Sequence, residues 1–308
     1  MKYLKLIRFR NLLMLALMQL LFRYGFLKFQ TIPLALNDWQ YLLLVFATVM
    51  IAAGGYVINN IMDQETDNYN KPKKVIVGKS ISEANAYNIY FLVTVLGVGT
   101  GFYLANVIAR PGFAAIFIII SATLYLYATS LKQLLLIGNF VVALLLAFSV
   151  IIIGIFDLLP VINAENKIAM AELFSILMDY ALFAFVINFI REIVKDMEDI
   201  NGDYKQGMRT LPVVLGLKRT SKVVFVLSFT PLIMTTYYIK NYFLPNELHL
   251  ATLYALTTVV SPLIYFIIKI DHAKKKKDFR RLSTILKLIV LFGVLSIVVV
   301  TYNILHHA

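Results

Sequence analysis

Two rows of polar side chains in this chain have the types and spacing to do chemistry. The richer row is Glu192, Asp196, Asp199 and Asp203, at successive offsets of four, three and four residues. That spacing stacks all four on one face of a helix. Adjacent like charges repel, so such a face is costly unless a cation neutralises it. The basic residues Arg191, Lys195, Lys205 and Arg209 are interleaved with the acids, so a metal together with a polyanion satisfies both sets. The second row, Asn59, Asn60, Asp63 and Asp67, stands at the end of another apolar run. Asn59, Asp63 and Asp67 share a helix face if the helix continues past that run. One such row alone reads equally well as a solvated helix end. Two rows facing one cavity, with lysines and arginines between them, form a site for magnesium and a diphosphate. Magnesium takes oxygen ligands, keeps several waters, and is held by one or two carboxylates plus phosphate oxygens. Its charge makes a diphosphate a good leaving group.

The elements that must position these rows are apolar. Of 308 residues, 60% are hydrophobic and 15% charged, against roughly 25% charged in soluble domains. Runs long enough to cross a bilayer as helix recur along the whole chain. The expected fold is an all-α polytopic membrane protein with nine transmembrane helices, residues 1–308 forming a single domain. The expected spans are Leu12–Phe22, Trp39–Asn59, Ala86–Ala105, Pro111–Tyr127, Leu134–Phe156, Glu172–Ile190, Val223–Ile239, Leu250–Ile268 and Ile285–Leu305. The first could pass for a signal-peptide core, but no small-x-small cleavage site follows and Arg23 and Lys28 stand close behind. Gly97 and Gly101 in the third span form a small-xxx-small pair suited to close helix packing. Cysteine is absent, which excludes thiolate metal sites, and His249, His272, His306 and His307 lack ligand spacing.

A net charge of +12 would point to nucleic acid in a soluble protein. Here the basic residues decorate helix ends, and no nucleic-acid partner is expected. With the N-terminus in the cytoplasm, only Arg23, Lys28, Arg110, Lys167 and Lys240 fall on the opposite side, as the positive-inside rule requires. Both acidic rows then lie on the cytoplasmic side, and the expected location is the plasma membrane. The acids gather at helix ends with no charge near the middle of a span, which favours a chamber open to the surface over a cation transporter.

The sequence resembles the UbiA superfamily of intramembrane prenyltransferases. The family's N-D-x-x-D-x-x-x-D motif stands here as Asn59-Asn60-Ile61-Met62-Asp63-Gln64-Glu65-Thr66-Asp67, with Asn60 where Asp is usual. The D-x-x-x-D motif matches Asp199 and Asp203, with Asp196 ahead of them, and is followed by Gly207-Met208-Arg209-Thr210-Leu211-Pro212. Arg8 and Asn11 match the R-x-x-N pattern opening the first span. Tyr127 and Lys132 match the Tyr/Lys pattern after the fourth, with four residues between them instead of three. The resemblance covers essentially the whole chain and implies a UbiA-type bundle around a central cavity.

The resemblance also implies the reaction. An allylic prenyl diphosphate ionises, the diphosphate stays on the metals, and an acceptor nucleophile attacks C1 of the prenyl chain. Asp63 and Asp67, with Asn59 and Asn60, would hold one Mg2+; Asp199 and Asp203, helped by Asp196, the other. Asp63, Asp67, Asp199 and Asp203 are the catalytic set. Arg8, Asn11, Tyr127, Lys132, Lys195 and Arg209 are the substrate-binding candidates. Asn60→Asp is expected to keep activity. The segments around both motifs look most like the branch making digeranylgeranylglyceryl phosphate, which implies geranylgeranyl diphosphate as donor and a prenylated glycerol phosphate as acceptor. Lys73, Lys74, Lys79 and Arg8 are then spare cations for the acceptor phosphate. An aromatic quinone precursor, of the 4-hydroxybenzoate or dihydroxynaphthoate type, is the alternative acceptor. Membrane lipids are the remaining partner.

Overall fold

The computed structural model describes residues 2–70, 72 and 75–306. Among them no strand is formed. Nine helical stretches are long and apolar enough to cross a membrane: Phe9–Phe29, Asp38–Met62, Glu83–Val107, Pro111–Thr129, Ile137–Val161, Lys167–Lys205, Leu217–Phe243, His249–Ile270 and Lys276–Leu305. They are called spans one to nine below. The number agrees with the apolar runs, and the lengths exceed them. Span six has 39 residues. At about 1.5 Å per residue this is nearly twice the ~30 Å of a bilayer core. The excess carries the second acidic row clear of the apolar segment.

Local chemistry sets the ends of the spans. Asn37 begins span two with a capping box, its Oδ1 accepting the Gln40 N–H while the Gln40 side chain accepts the Asn37 N–H, both at 2.9 Å. Ser82 caps span three by accepting the Asn85 N–H at 3.4 Å. Span six stops at Gly207, whose φ of +66° is the left-handed geometry that glycine adopts without penalty. The Gly207 N–H donates to the Tyr204 carbonyl and the Met208 N–H to the Asp203 carbonyl, at 3.2 and 2.9 Å. This paired closure ends the helix within one turn of Asp203.

The chain forms two compact units. The first comprises residues up to Leu20, Ile32–Leu134 and Ile151–Ser175. Its centre is the packing of spans two, three and four. A Cβ on Gly97 would lie 2.7 Å from Ile51 Cγ1 and 3.1 Å from the Ala47 carbonyl, so spans two and three approach to a distance only glycine permits. Gly101 does the same against Phe117 of span four. The expected small-residue pair therefore acts as a packing surface. Buried Asp157, at the end of the helix Ile137–Asp157, accepts the Leu36 N–H at 3.1 Å and so fixes the turn that leads into span two.

The second unit comprises Leu21–Thr31, Leu135–Val150 and the chain from Ile176 onward. Ile187, Ile190, Val194 and Met197 of span six are buried against Leu263 and Phe266 of span eight and Leu282 and Leu286 of span nine. One expectation fails in this unit. Asp179 lies near the middle of the expected sixth span, so the acids are not confined to helix ends. Its Oδ2 accepts the Tyr238 hydroxyl at 3.1 Å, which gives this intramembrane carboxylate a polar partner.

Candidate active site

The first row lies in the first unit and is built around a helix break. Asp38–Met62 ends at Asp63, whose φ of −90° and ψ of 8° leave the helical region, and a new helix, Gln64–Asn70, follows at once. The row therefore crosses a kink instead of running along one helix. Its spacing survives, because the Asp63 N–H still donates to the Asn59 carbonyl and the Asp67 N–H to the Asp63 carbonyl, at 2.9 and 2.8 Å.

At the break, Asn59 Nδ2 donates to Asp63 Oδ2 at 2.6 Å, and Lys132 Nζ is ion-paired with Asp63 Oδ1. The side chains of Lys132 and Asp63 are only 10% and 19% exposed, so this pair is far better shielded than an ordinary surface ion pair. Lys132 reaches it from the 3-10 turn Leu131–Gln133 that closes span four. Asn59 Oδ1 is buried and accepts no hydrogen bond among the described residues. A buried amide oxygen without a donor, beside a carboxylate, is a fitting ligand for a hard cation.

Asn60 points elsewhere. Its Nδ2 donates to the Leu6 and Tyr56 carbonyls at 3.0 and 2.7 Å, so its amide ties the N-terminal segment to span two. Arg8 lies next to that tie. It has a left-handed φ of 50°, which costs about 1 kcal/mol for a side chain of this kind, and its guanidinium stacks 5.1 Å from the Tyr56 ring centroid. Asn11 opens the first turn of span one, its N–H donating to the Arg8 carbonyl at 2.8 Å. Tyr127 is half-buried near the end of span four. Lys79 Nζ donates to the Pro72 carbonyl at 3.1 Å. Lys73, Lys74 and His307 lie outside the described residues.

The second row lies in the second unit on unbroken helix, Lys167–Lys205. The acids at 192, 196, 199 and 203 are offset by two residues from the buried apolar positions 190, 194 and 197. Two residues are about 200° of helical rotation, so the two sets lie on opposite faces. Burial of the apolar face against spans eight and nine thus fixes the direction of the acids.

Each acid has a defined partner. Glu192 is buried and receives Lys195 Nζ at 2.6 Å and Arg191 Nη1 at 3.2 Å. Asp196 accepts from Asn139 Nδ2 at 2.7 Å. Lys276 Nζ lies 3.6 Å from Asp199 Oδ1, and Arg280 Nε donates to Glu198 at 2.9 Å. Asp203 is buried, with the Thr210 hydroxyl at 3.4 Å. Arg209 is exposed just beyond the glycine stop. Lys195 is therefore bound to an acid of its own row.

Sequence reasoning missed Asn139, Lys276 and Arg280. Asn139 is a lone amide in an apolar run, which is a visible signal. Lys276 and Arg280 belong to a basic linker whose charges read equally well as topology determinants.

Among the described residues, no three histidine or carboxylate side chains gather as a preformed metal cage.

The chain matches the UbiA prenyltransferase family over residues 20–300 and belongs to that family. It is an integral membrane prenyltransferase. Its curated relatives include the digeranylgeranylglyceryl phosphate synthase of Methanococcoides burtonii, 31% identical over 96% of this chain and 98% of that one. The synthase of the same name from Sulfolobus acidocaldarius is 33% identical over 82% and 86% of the two chains. A solved structure concerning digeranylgeranylglyceryl phosphate synthase in membranes is 25% identical, covers 97% of both chains and superposes with a TM-score of 0.65. A UbiA homolog from Archaeoglobus fulgidus, solved with DMAPP and Mg2+, shares the fold at 16% identity and a TM-score of 0.61, over 96% of this chain and 99% of that one.

Proposed function

We propose that this enzyme transfers a geranylgeranyl group from geranylgeranyl diphosphate to a prenylated glycerol phosphate, geranylgeranylglyceryl phosphate, in a magnesium-dependent reaction. The names of the relatives support the acceptor, and the magnesium in the Archaeoglobus homolog supports the cofactor. The family match across residues 20–300 supports a single domain over 1–308. The charge distribution of the loops supports a cytoplasmic N-terminus and active site, in the plasma membrane.

The observation that carries the site assignment is the Asn59–Asp63–Lys132 contact. It joins an amide, whose oxygen stays open to a hard cation, and a carboxylate to an ammonium that can bind phosphate. Asp63 and Asp67 with Asn59 hold one magnesium; Asp199 and Asp203, helped by Asp196, hold the other. When bound, magnesium neutralises the charge that develops on the leaving diphosphate. Lys132, Lys195 and Arg209 bind diphosphate oxygens, and Arg8, Asn11 and Tyr127 line the substrate-binding region. The C1–O bond of the prenyl diphosphate breaks with its electron pair going to the diphosphate. An acceptor hydroxyl oxygen then forms the new bond to C1 and loses its proton. Asn60 serves this site by holding Leu6 and, through it, the segment that carries Arg8.

The test is an assay of the purified protein with magnesium, geranylgeranyl diphosphate and competing acceptors, read by mass spectrometry. The expected product is the doubly prenylated glycerol phosphate. Prenylation of 4-hydroxybenzoate or dihydroxynaphthoate, with the glycerol phosphate ignored, would replace the acceptor assignment.

A further inference from the structure

In the second unit, spans eight and nine enclose a groove of about 330 Å³, lined by Thr258, Ser261, Tyr265, Ile285, Leu288 and Phe292 among others. Its origin lies in the sequence. Pro262 has no N–H to give the Thr258 carbonyl and would crowd it in a regular helix. The chain resolves this by widening into a π-turn over Leu256–Val260, immediately before the proline. The Ser261 hydroxyl donates to the Leu256 carbonyl at 2.8 Å and so closes the widened turn. On the facing helix, Ile285, Leu288 and Phe292 recur at offsets of three and four and present one apolar stripe.

Of the four hydroxyl side chains in the groove, those of Thr257, Thr258 and Ser261 are already committed, Thr257 Oγ1 donating to the Leu253 carbonyl at 2.8 Å. Thr258 Oγ1 donates to the Tyr254 carbonyl at 2.8 Å, and Ser261 is bound as described. Apart from the Tyr265 hydroxyl, the wall is therefore apolar towards an occupant. One end is different. Lys269 Nζ and the Arg281 guanidinium each lie 5.8 Å from the centroid of the Tyr265 ring. Lys269 is one helical turn beyond Tyr265, and Arg281 one turn before Ile285, so both cations stand at the same mouth of the groove. Both are exposed, and among the described residues neither is ion-paired. Their neighbours differ: Lys276 is paired with Asp199 and Arg280 with Glu198. Two unneutralised cations on an aromatic ring, at the mouth of an apolar trough, match an anionic head with a hydrocarbon tail.

We propose that this groove is a binding site for an anionic glycerophospholipid of the surrounding bilayer. The phosphate sits between Lys269 and Arg281, and one hydrocarbon chain lies along Tyr265, Leu288 and Phe292 past the π-turn. The occupant is a resident lipid, distinct from the substrates. Neither cation belongs to either acidic row.

Native mass spectrometry of the detergent-solubilised protein, with phosphatidylglycerol or phosphatidylcholine of identical chains added in equal amount, tests this. The wild type should retain one more phosphatidylglycerol than phosphatidylcholine. In the K269Q/R281Q variant that excess should weaken by about five-fold for each cation removed, while R281K, which keeps the charge, should preserve it. L288W fills the trough with both cations intact, and should lower retention of both lipids. Prenyl-transfer kinetics with acceptor added in detergent should be unchanged in all three variants. An excess of phosphatidylglycerol that survives both K269Q/R281Q and L288W would overturn the proposal. So would a variant that raises the KM of the acceptor without losing lipid, because the groove would then be a substrate site.

Discussion

The two acidic rows are built in two different ways. In the first unit the row is interrupted at Asp63 by a helix break, and the carboxylate is held by an amide on its own span and by Lys132 from a turn 69 residues away. In the second unit the acids ride on continuous helix whose opposite face is buried against spans eight and nine. The first row has few charges, with a buried amide oxygen left open to a cation. The second is crowded: Arg191 and Lys195 share Glu192, Lys276 meets Asp199, and Arg280 meets Glu198 beside the row. The first row is split by its kink and meets Lys132 from a separate short turn, so it is expected to be the more adjustable of the two. The second is backed by a buried core on continuous helix, and is expected to be the more rigid.

That contrast can be broken most severely by changing helical register. One alanine inserted between Met197 and Glu198 rotates everything beyond it by about 100°. Asp199 and Asp203 then leave the acidic face, and prenyl transfer should fall by about 10³-fold or more. A residue inserted after Gly78, in the loop beyond the first row, should change the rate by only a few-fold, since longer loops are tolerated. Equal losses from the two insertions would remove the distinction between a rigid and an adjustable row.

Lys132→Ala comes next. It removes the cation beside Asp63 and should lower kcat by about 10²-fold, the usual scale for losing one donor that stabilises a developing charge. Lys132→Arg should recover part of this.

Asn60→Asp sharpens the contrast on the stability side. The family pattern alone implies a harmless change. Here the side chain donates to two carbonyls, and a carboxylate cannot donate. The substitution should destabilise the protein by about 1–3 kcal/mol, seen as a lower unfolding temperature in detergent, with no gain in magnesium affinity. The smallest effect is expected of Arg280→Ala. Its side chain is 54% exposed, so losing the Glu198 pair should cost no more than about 1 kcal/mol.

Much of this architecture is legible in the sequence because the bilayer imposes a simple rule. Long apolar runs became spans, and Ser82, Gly97 and Gly207 acted as their types imply. The ends of span six were less legible. Lys167 starts the helix ahead of the apolar run, and the segment through Lys205 is too polar to read as part of a span, although it is continuous helix. The break at Asp63 leaves no signal, since no glycine or proline marks it. Contacts made across long sequence separations were also invisible. Asn139 meets Asp196 57 residues on, and Arg280 meets Glu198 82 residues away. Asp179 is a single acid in an apolar run and makes no pattern; its partner Tyr238 lies in the next span.

The central claim is that both rows are needed, through magnesium, for one reaction. Its most direct test is the transfer rate as a function of Mg2+ concentration in the wild type, Asp63→Asn and Asp199→Asn, with folding checked by size-exclusion chromatography. Asparagine keeps the shape of each side chain and removes one negative charge. The account predicts no transfer in excess chelator, a loss of about 10³-fold in each variant, and little further loss when the two are combined. Wild-type rates in either single variant, or in excess chelator, would contradict it.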